Sequence, residues 1–471
     1  MTFARNSIIL LTAGAIAGCA NVNPNKGFEE VGQTVHFRTG KRIAWIRGSM
    51  EDAQAASAVT TLLRRTLTAD SAVQIALLNN RNIQATYEEL GIAQADLVEA
   101  GLLKNPVFSF ERRFPGQALQ ADIAEDFVSI FLLPLRKRVA QAQFDAAKMR
   151  VAHEVLQLAA EVRSAFYEQQ GNEQMYDLLR QVENATEQSA ETSLRLHEAG
   201  NIKNVELANQ EALHVQAKLD LGKAQMEGVS SREKLNKLMG LWGSQTDWEI
   251  TPRLPDLPKS DISLQGVESR AIAQRLDLAA SRQELLALAR GSSFARIEGI
   301  LGERTEITGH LEREGEGFTS FGPSLAIPVP VFNQGQPAVA RSSGRLRQAE
   351  QKYLALAAEI RADVRTARDR MLLARDRAEY YRSVALPLRS RIVDESQLEY
   401  NAMQIGAIQL LQAKQDQINA SRDYVEALQS YWMARADLER AVGGKLTGTI
   451  SNIGTELAKQ SLEKATSHHA L

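Results

Sequence analysis

One cysteine, twelve prolines and a 6% aromatic share in 471 residues set the first limits. A lone thiol cannot close an intrachain disulfide, so covalent stapling is excluded. Few aromatic side chains exclude a core built of large rings. Ala, Gln, Glu, Arg and Leu abound instead, the usage of long helices packed closely through small residues. Charge of either sign is not in surplus: 55 Lys plus Arg stand against 57 Asp plus Glu, so nothing is left over to neutralise a polyphosphate, and nucleic acid is not an expected partner. Beyond residue 20 no run of about 18 apolar residues occurs, so no transmembrane helix is expected and any bilayer crossing falls to β-strands. Apolar residues at 44% and charged residues at 24% exclude wholesale disorder.

The single cysteine has a distinctive place. Arg5 is followed by Ser7-Ile-Ile-Leu-Leu-Thr-Ala-Gly-Ala-Ile-Ala-Gly18, too short an apolar stretch to span a bilayer and flanked as a secretory signal is. It ends in Ile16-Ala17-Gly18-Cys19, which resembles the lipobox of bacterial lipoproteins, where cleavage precedes an acylated cysteine. Residues 1–18 are therefore expected to be a signal and Cys19 a lipidated N-terminus. Ala20, rather than Asp, follows it, which by that resemblance implies sorting to the outer membrane.

Proline placement divides the rest. None lies between Pro134 and Pro252, and after Pro337 only Pro387 remains, so long helices are expected in those windows. Thr251-Pro-Arg-Leu-Pro-Asp-Leu-Pro-Lys259 reads as a connector between two halves, 67–250 and 260–443. Leu158-Ala-Ala-Glu-Val-Arg163 returns at the matching place as Leu356-Ala-Ala-Glu-Ile-Arg361, which points to internal duplication. Leu346, Ala349, Tyr353, Leu356, Ile360, Val364, Ala367, Met371, Ala374, Ala378 and Tyr381 step by threes and fours, as do Val151, Val155, Leu158, Val162 and Phe166, a spacing that asks for supercoiled helices. A continuous helix over 139–199 would be about 90 Å long and needs equally long partners. Breaks at Gly200-Asn201 and Gly406 make two helical hairpins, 139–241 and 338–442, with Pro387 expected to kink the second outgoing helix or to replace one of its turns by a loop.

Four segments alternate with period two and are expected to be strands: 106–114, 126–135, 296–308 and 319–331. Each is near the ~10 residues of a membrane-crossing strand. Four strands cannot close a membrane barrel, for which a single chain needs at least about eight, so a barrel would have to be shared between chains. Segments 19–66 and 444–471 flank the halves, the first expected to be extended.

A strand pair, long helix, turn and helix, given twice behind a lipobox, resembles the TolC family of outer-membrane efflux proteins from about Leu67 to Gly443. Leu132-Leu-Pro-Leu135 and Ile327-Pro-Val-Pro-Val-Phe332 carry the likeness, with the turn segments Leu196–Leu207 and Tyr400–Ala413. The resemblance implies a mainly α chain with a β-barrel portion, forming a homotrimer with a shared twelve-strand outer-membrane barrel continued by a long periplasmic α-helical barrel. It implies a passive exit duct in a Gram-negative outer membrane, lipid-anchored and reaching into the periplasm. An inner-membrane transporter and a periplasmic adaptor would be its partners. It places the periplasmic tip at Gly200, Asn201, Asn204, Glu206, Tyr400, Met403, Gln404, Gly406, Gln409 and Gln412. Two departures stand out. Met403 occupies the family's usual turn glycine, with Gly406 expected to take over the turn, and neutral Gln409 and Gln412 stand where some members place acidic residues.

No cofactor, metal site or catalytic residue is expected. His153-Glu154 lacks a second His four residues on, and Gly315-Glu-Gly317 has no following helix or Lys-Ser/Thr. His468-His469 reads as a solvated tail. The charged stretch Arg361–Arg370 is either a solvated helix face or the lining of a wet channel. Neither the seven His nor the nine Met cluster, so exported cargo is not legible. The competing reading is a periplasmic coiled-coil lipoprotein that scaffolds the envelope.

Overall fold

The computed structural model describes residues 22–23, 25–114, 118–259, 264–301, 305–313, 317 and 319–445. The signal 1–18, Cys19, Gly315-Glu316 and His468-His469 lie outside those residues. In chain order the elements are α1 Asn25–Thr39, α2 Met50–Leu63, α3 Ala69–Asn79, α4 Arg81–Ala100, β1 Val107–Arg113, β2 Ala118–Asp126, α5 Phe127–Glu198 and α6 Asn204–Met239. There follow α7 Val267–Gln274, α8 Leu276–Ser292, α9 Ala295–Leu301, β3 Glu306–Arg313, β4 Thr319–Ala326, α10 Gln336–Tyr380, a π-helical turn Tyr381–Ala385, α11 Leu386–Asn401 and α12 Ala407–Val442. Among the described residues no helix is long and apolar enough to cross a membrane.

The chain divides into two compact units. One comprises the described parts of 1–31, 87–151 and 277–355 and holds the sheet; the other comprises those of 32–86, 152–276 and 356–471. In the first unit the strands run β1-β2-β3-β4, antiparallel throughout. β2 pairs with β3 across the two sequence halves, leaving β1 and β4 as open edges. One row crosses all four strands: Ser109 faces Asp122, Asp122 faces His310, and His310 faces Gly322.

Two expected strands are corrected. Phe127–Leu135 is not a strand but the start of α5. Asp126 caps it, its carboxylate accepting from Ser129 N–H (3.0 Å) and its carbonyl from Ser129 Oγ (2.7 Å). Val128 and Leu132 pack on Phe294, with Leu135 and Val139 beside them, a spacing of three and four that overrides the apparent alternation. Pro134 sits inside this helix, where its ring cannot donate to the carbonyl four residues back. Segment 296–308 is likewise helix α9 through Leu301, with β3 starting only at Glu306. Gly299 permits the packing, since a Cβ there would come within 2.6 Å of the Ala338 side chain. The second strand of each pair also moves: residues 118–126, between the two segments expected as the first pair, form β2, and β4 ends at Ala326 because Pro328 and Pro330 cannot donate to a ladder. The described residues of the flanking segment 19–66 are not extended throughout but carry α1 and α2.

The second unit packs through alternating stripes. Ile360, Val364, Met371 and Ala378 are fully buried along α10, and Val155, Leu158, Val162 and Phe166 are buried along α5. Arg38 on α1 donates to the carbonyls of Gln274 (2.6 Å) and Gly443 (2.7 Å), closing the C-terminal ends of α7 and α12. Burial pushes its guanidinium down to about 10. The proline connector lies against α5 and α12: Gln170 Nε2 donates to the Thr251 carbonyl (2.9 Å) and Trp432 Nε1 to that of Pro255 (2.8 Å). Gly240 ends α6 at φ 69°, where a Cβ would stand 2.8 Å from the Asn79 carbonyl oxygen. Pro387 does not replace a turn by a loop. Its helix is re-registered upstream instead, Leu386 N–H bonding back to Tyr381 O through the π turn.

Candidate functional site: two hairpin tips and an amphipathic sheet

Both helical hairpins, α5–α6 and α11–α12, end in the same turn. In the first, Gly200 N–H donates to His197 O (2.8 Å) and Asn201 N–H to Leu196 O (2.8 Å), with Gly200 at φ 75°. In the second, Met403 N–H donates to Tyr400 O (2.9 Å) and Gln404 N–H to Glu399 O (2.9 Å), with Met403 at φ 58°. This pair of back-bonds is the left-handed helix stop that satisfies the last carbonyls. Among the described residues Met403 is the one non-glycine with positive φ. The expectation that Gly406 takes over the turn is therefore corrected: Gly406 sits at φ −80° as the N-cap of α12. The turn falls at the second residue past the helix end, one beyond the cap, and that place is set by hydrogen bonding, not by where a glycine happens to lie.

The remaining tip residues follow from the same frame. Lys203 and Gly406 are the N-caps of α6 and α12, and Glu206 and Gln409 sit three residues on, each side chain accepting from its cap's N–H (3.3 and 2.8 Å). Asn204 is the first residue of α6, and Tyr400 lies in the last turn of α11. Met403 is 93% exposed. Gln412, also exposed, donates to Asp416 Oδ1 (3.1 Å), whose other oxygen pairs with Arg389 of α11 (2.9 Å). Farther along, Arg422 of α12 meets Asp220 of α6 at 2.8 Å, joining the two hairpins. These two ion pairs escaped sequence reasoning, because neither the register of α11 against α12 nor the pairing of α6 with α12 can be read from spacing along one helix. A signal was present for the seams they border: buried Gln210, Ala217, Ala224 and Ser231 on α6, and Ala413, Ala420 and Ala427 on α12, recur every seventh residue.

The sheet has two unlike faces. Phe108, Phe110, Leu119, Ile123, Ile307, Leu311, Phe321 and Leu325 share one by alternation, with Arg112, Glu125 and Arg313 toward its two ends, and Phe321 is 78% exposed. Ser109, Glu111, Gln120, Asp122, Glu306, Thr308, His310, Glu312, Ser320 and Ser324 share the other. Asp122 accepts from Ser109 Oγ (3.2 Å), Gln120 Nε2 (3.1 Å) and His310 Nδ1 (2.5 Å). An open sheet with one bare apolar face and one hydrogen-bonded polar face is the pattern of a strand set that contacts lipid on one side and water on the other. Among the described residues no group of three or more His, Cys, Asp or Glu is arranged to hold a metal.

No protein-family model matches the chain. The cobalt-zinc-cadmium resistance protein CzcC of Cupriavidus metallidurans is 20% identical over 387 residues, covering 80% of this chain and 90% of that one. The CmeC outer membrane channel of Campylobacter jejuni superposes with a TM-score of 0.67 at 16% identity, over 83% of this chain and 88% of its own. The open-state MtrE outer membrane channel of Neisseria gonorrhoeae gives 0.64 at 18% identity, over 82% and 91%. With its open amphipathic sheet and paired helical hairpins, the chain has the fold of the TolC family of outer-membrane channels.

Proposed function

We propose that this chain is the outer-membrane exit duct of a tripartite efflux system, passively conducting solutes delivered by an inner-membrane transporter through a periplasmic adaptor. One observation carries the reading: a four-stranded sheet with two open edges presents bare Phe108, Phe110, Ile123, Phe321 and Leu325 on one face only. In lipid, open edges leave backbone donors and acceptors unsatisfied at several kcal/mol each, so the sheet must be completed by other copies. Three chains supply twelve strands to one barrel, and their helices form the periplasmic α-helical barrel. The parallel order of strands and helices in the halves 67–250 and 260–443 supports an origin by duplication. Cys19 carries the lipid that tethers each chain, and the tips around Gly200 and Met403 form the periplasmic mouth.

The scaffold alternative has no use for an amphipathic four-stranded sheet. Purified full-length protein in a planar bilayer separates the two: the duct gives discrete conductance steps and a trimer in detergent, whereas a scaffold gives neither. Replacing Cys19 by Ala should abolish fatty-acid labelling, and equal labelling of both proteins would remove the anchor from this account. The name of the Cupriavidus relative makes cobalt, zinc and cadmium the first cargoes to test, by comparing sensitivity of a deletion strain to these ions and to organic toxicants.

A further inference from the structure

The polar face of the sheet holds one group whose charge changes near neutrality. His310, at the middle of β3, lies between two carboxylates: Nδ1 is 2.5 Å from Asp122 Oδ1 on β2, and Nε2 is 3.5 Å from Glu312 Oε2 on its own strand. All three side chains are a fifth to a third exposed, so they remain in reach of water. On the other side the row ends in Gly322, beside which a Cβ would meet nothing within 4 Å, so β4 offers the imidazole neither a charge nor a wall. By alternation the charged positions on this face are Asp122 and Asp126 on β2, Glu111 and Arg113 on β1, and Glu306 and Glu312 on β3 itself, with Arg113 at the last position of β1; the β4 positions are Ser320, Gly322, Ser324 and Ala326.

We propose that His310 determines how the ion selectivity of the barrel depends on pH. This rests on the duct reading, in which the polar face lines the water-filled lumen. An imidazolium placed between Asp122 and Glu312 offsets one of their two negative charges; the neutral ring offsets neither. Deprotonation therefore makes the lumen more negative by one charge per chain, three in a trimer. Carboxylates in water titrate well below the imidazole, so over the pH window in which the ring loses its proton His310 is the group on this face whose charge changes. Cation preference should rise with pH across that window.

The test is the reversal potential of single channels in a potassium chloride gradient, with full-length protein, at several pH values across it. Wild type should shift toward the cation potential as pH rises. His310→Gln should give the same selectivity at every pH. His310→Lys, which keeps the charge, should hold the low-pH value of wild type throughout, and this second variant guards against a single substitution that disturbs the strand. Undiminished pH dependence in both variants overturns the assignment while leaving the duct intact. Absence of any conductance from wild type overturns the duct reading itself, so the two failures are told apart.

Discussion

The two hairpin tips form one turn from different residues. Where the first uses Gly200, the second uses Met403 at nearly the same φ, with the same pair of back-bonds. A Cβ in the left-handed region costs about 1–2 kcal/mol, so the second tip holds its shape against strain that the first does not carry. Their following helices differ too: Glu206 closes the first capping box with a carboxylate and Gln409 the second with a neutral amide. The outgoing helices diverge in the same sense. α5 runs unbroken from Phe127 to Glu198, while the second is interrupted by the π turn Tyr381–Ala385 ahead of Pro387. Every difference makes the second hairpin the more readily deformed of the two.

Substitutions at the tips break or sharpen this contrast. Gly200→Ala should remove the first tip's advantage, costing about 1–2 kcal/mol locally, seen as faster amide hydrogen exchange in residues 196–207. Unchanged exchange there would mean the turn can relax away from positive φ. Met403→Gly works in the opposite direction. Relief of the Cβ strain exceeds the extra chain entropy of glycine by about 0.5–1 kcal/mol, so residues 399–410 should exchange more slowly. Smaller still, Gln409→Ala should cost about 0.5 kcal/mol by freeing the Gly406 N–H, whereas Gln409→Glu should match or slightly exceed wild type through the helix N-terminus, converging on the first tip.

A pH effect in the same unit is weakest. Burial by itself would raise the Asp70 carboxyl, but Lys41 at 3.4 Å, Lys445 and Arg163 at 3.4 Å outweigh it and hold it below the usual carboxylate range. A depressed folded-state value means the contribution is present above the unfolded value near 4 and is lost as pH falls through the folded one. Asp70 is more than half exposed, so solvent screening keeps this under ~1 kcal/mol. Asp70→Asn should lower stability at neutrality by under ~1 kcal/mol, flatten the acid limb of the melting profile, and converge with wild type once the wild-type carboxyl is protonated.

The helices were legible from proline gaps and three-four spacing because long helices need both, and the fully buried Ile360, Val364, Met371 and Ala378 fall on that spacing. The strands were only half legible. β1 carries Phe108 and Phe110 at alternate positions and β4 sets Phe321 and Leu325 on one face, but β2 hides its alternation behind Ala121, Ala124 and Glu125. The apolar run Phe127–Leu135 looked more strand-like than β2 and is helix, because a short apolar run satisfies either period until its partner is known, here Phe294. At the tips, the spacing His197…Gly200 and Tyr400…Met403 already matched. It was the preference for glycine in turns that drew attention to Gly406. The row Ser109, Asp122, His310 and Gly322 could not be read from sequence, since it depends on the register of all four strands.

The central claim is that the sheet is completed by other copies, edge to edge. Within a chain β1 and β4 are separated by two strands at about 4.8 Å per spacing, beyond the ~7 Å limit for disulfide closure, so cysteines placed on both can join only different chains. The measurement is oxidation, in native membranes, of a panel of pairs that combine Ser109→Cys with cysteines stepped along Thr319–Ala326, followed by denaturing electrophoresis. The account predicts that one register gives a ladder of one, two and three chains that stops at three. Failure of every register to cross-link, or a ladder that continues past three, would contradict it.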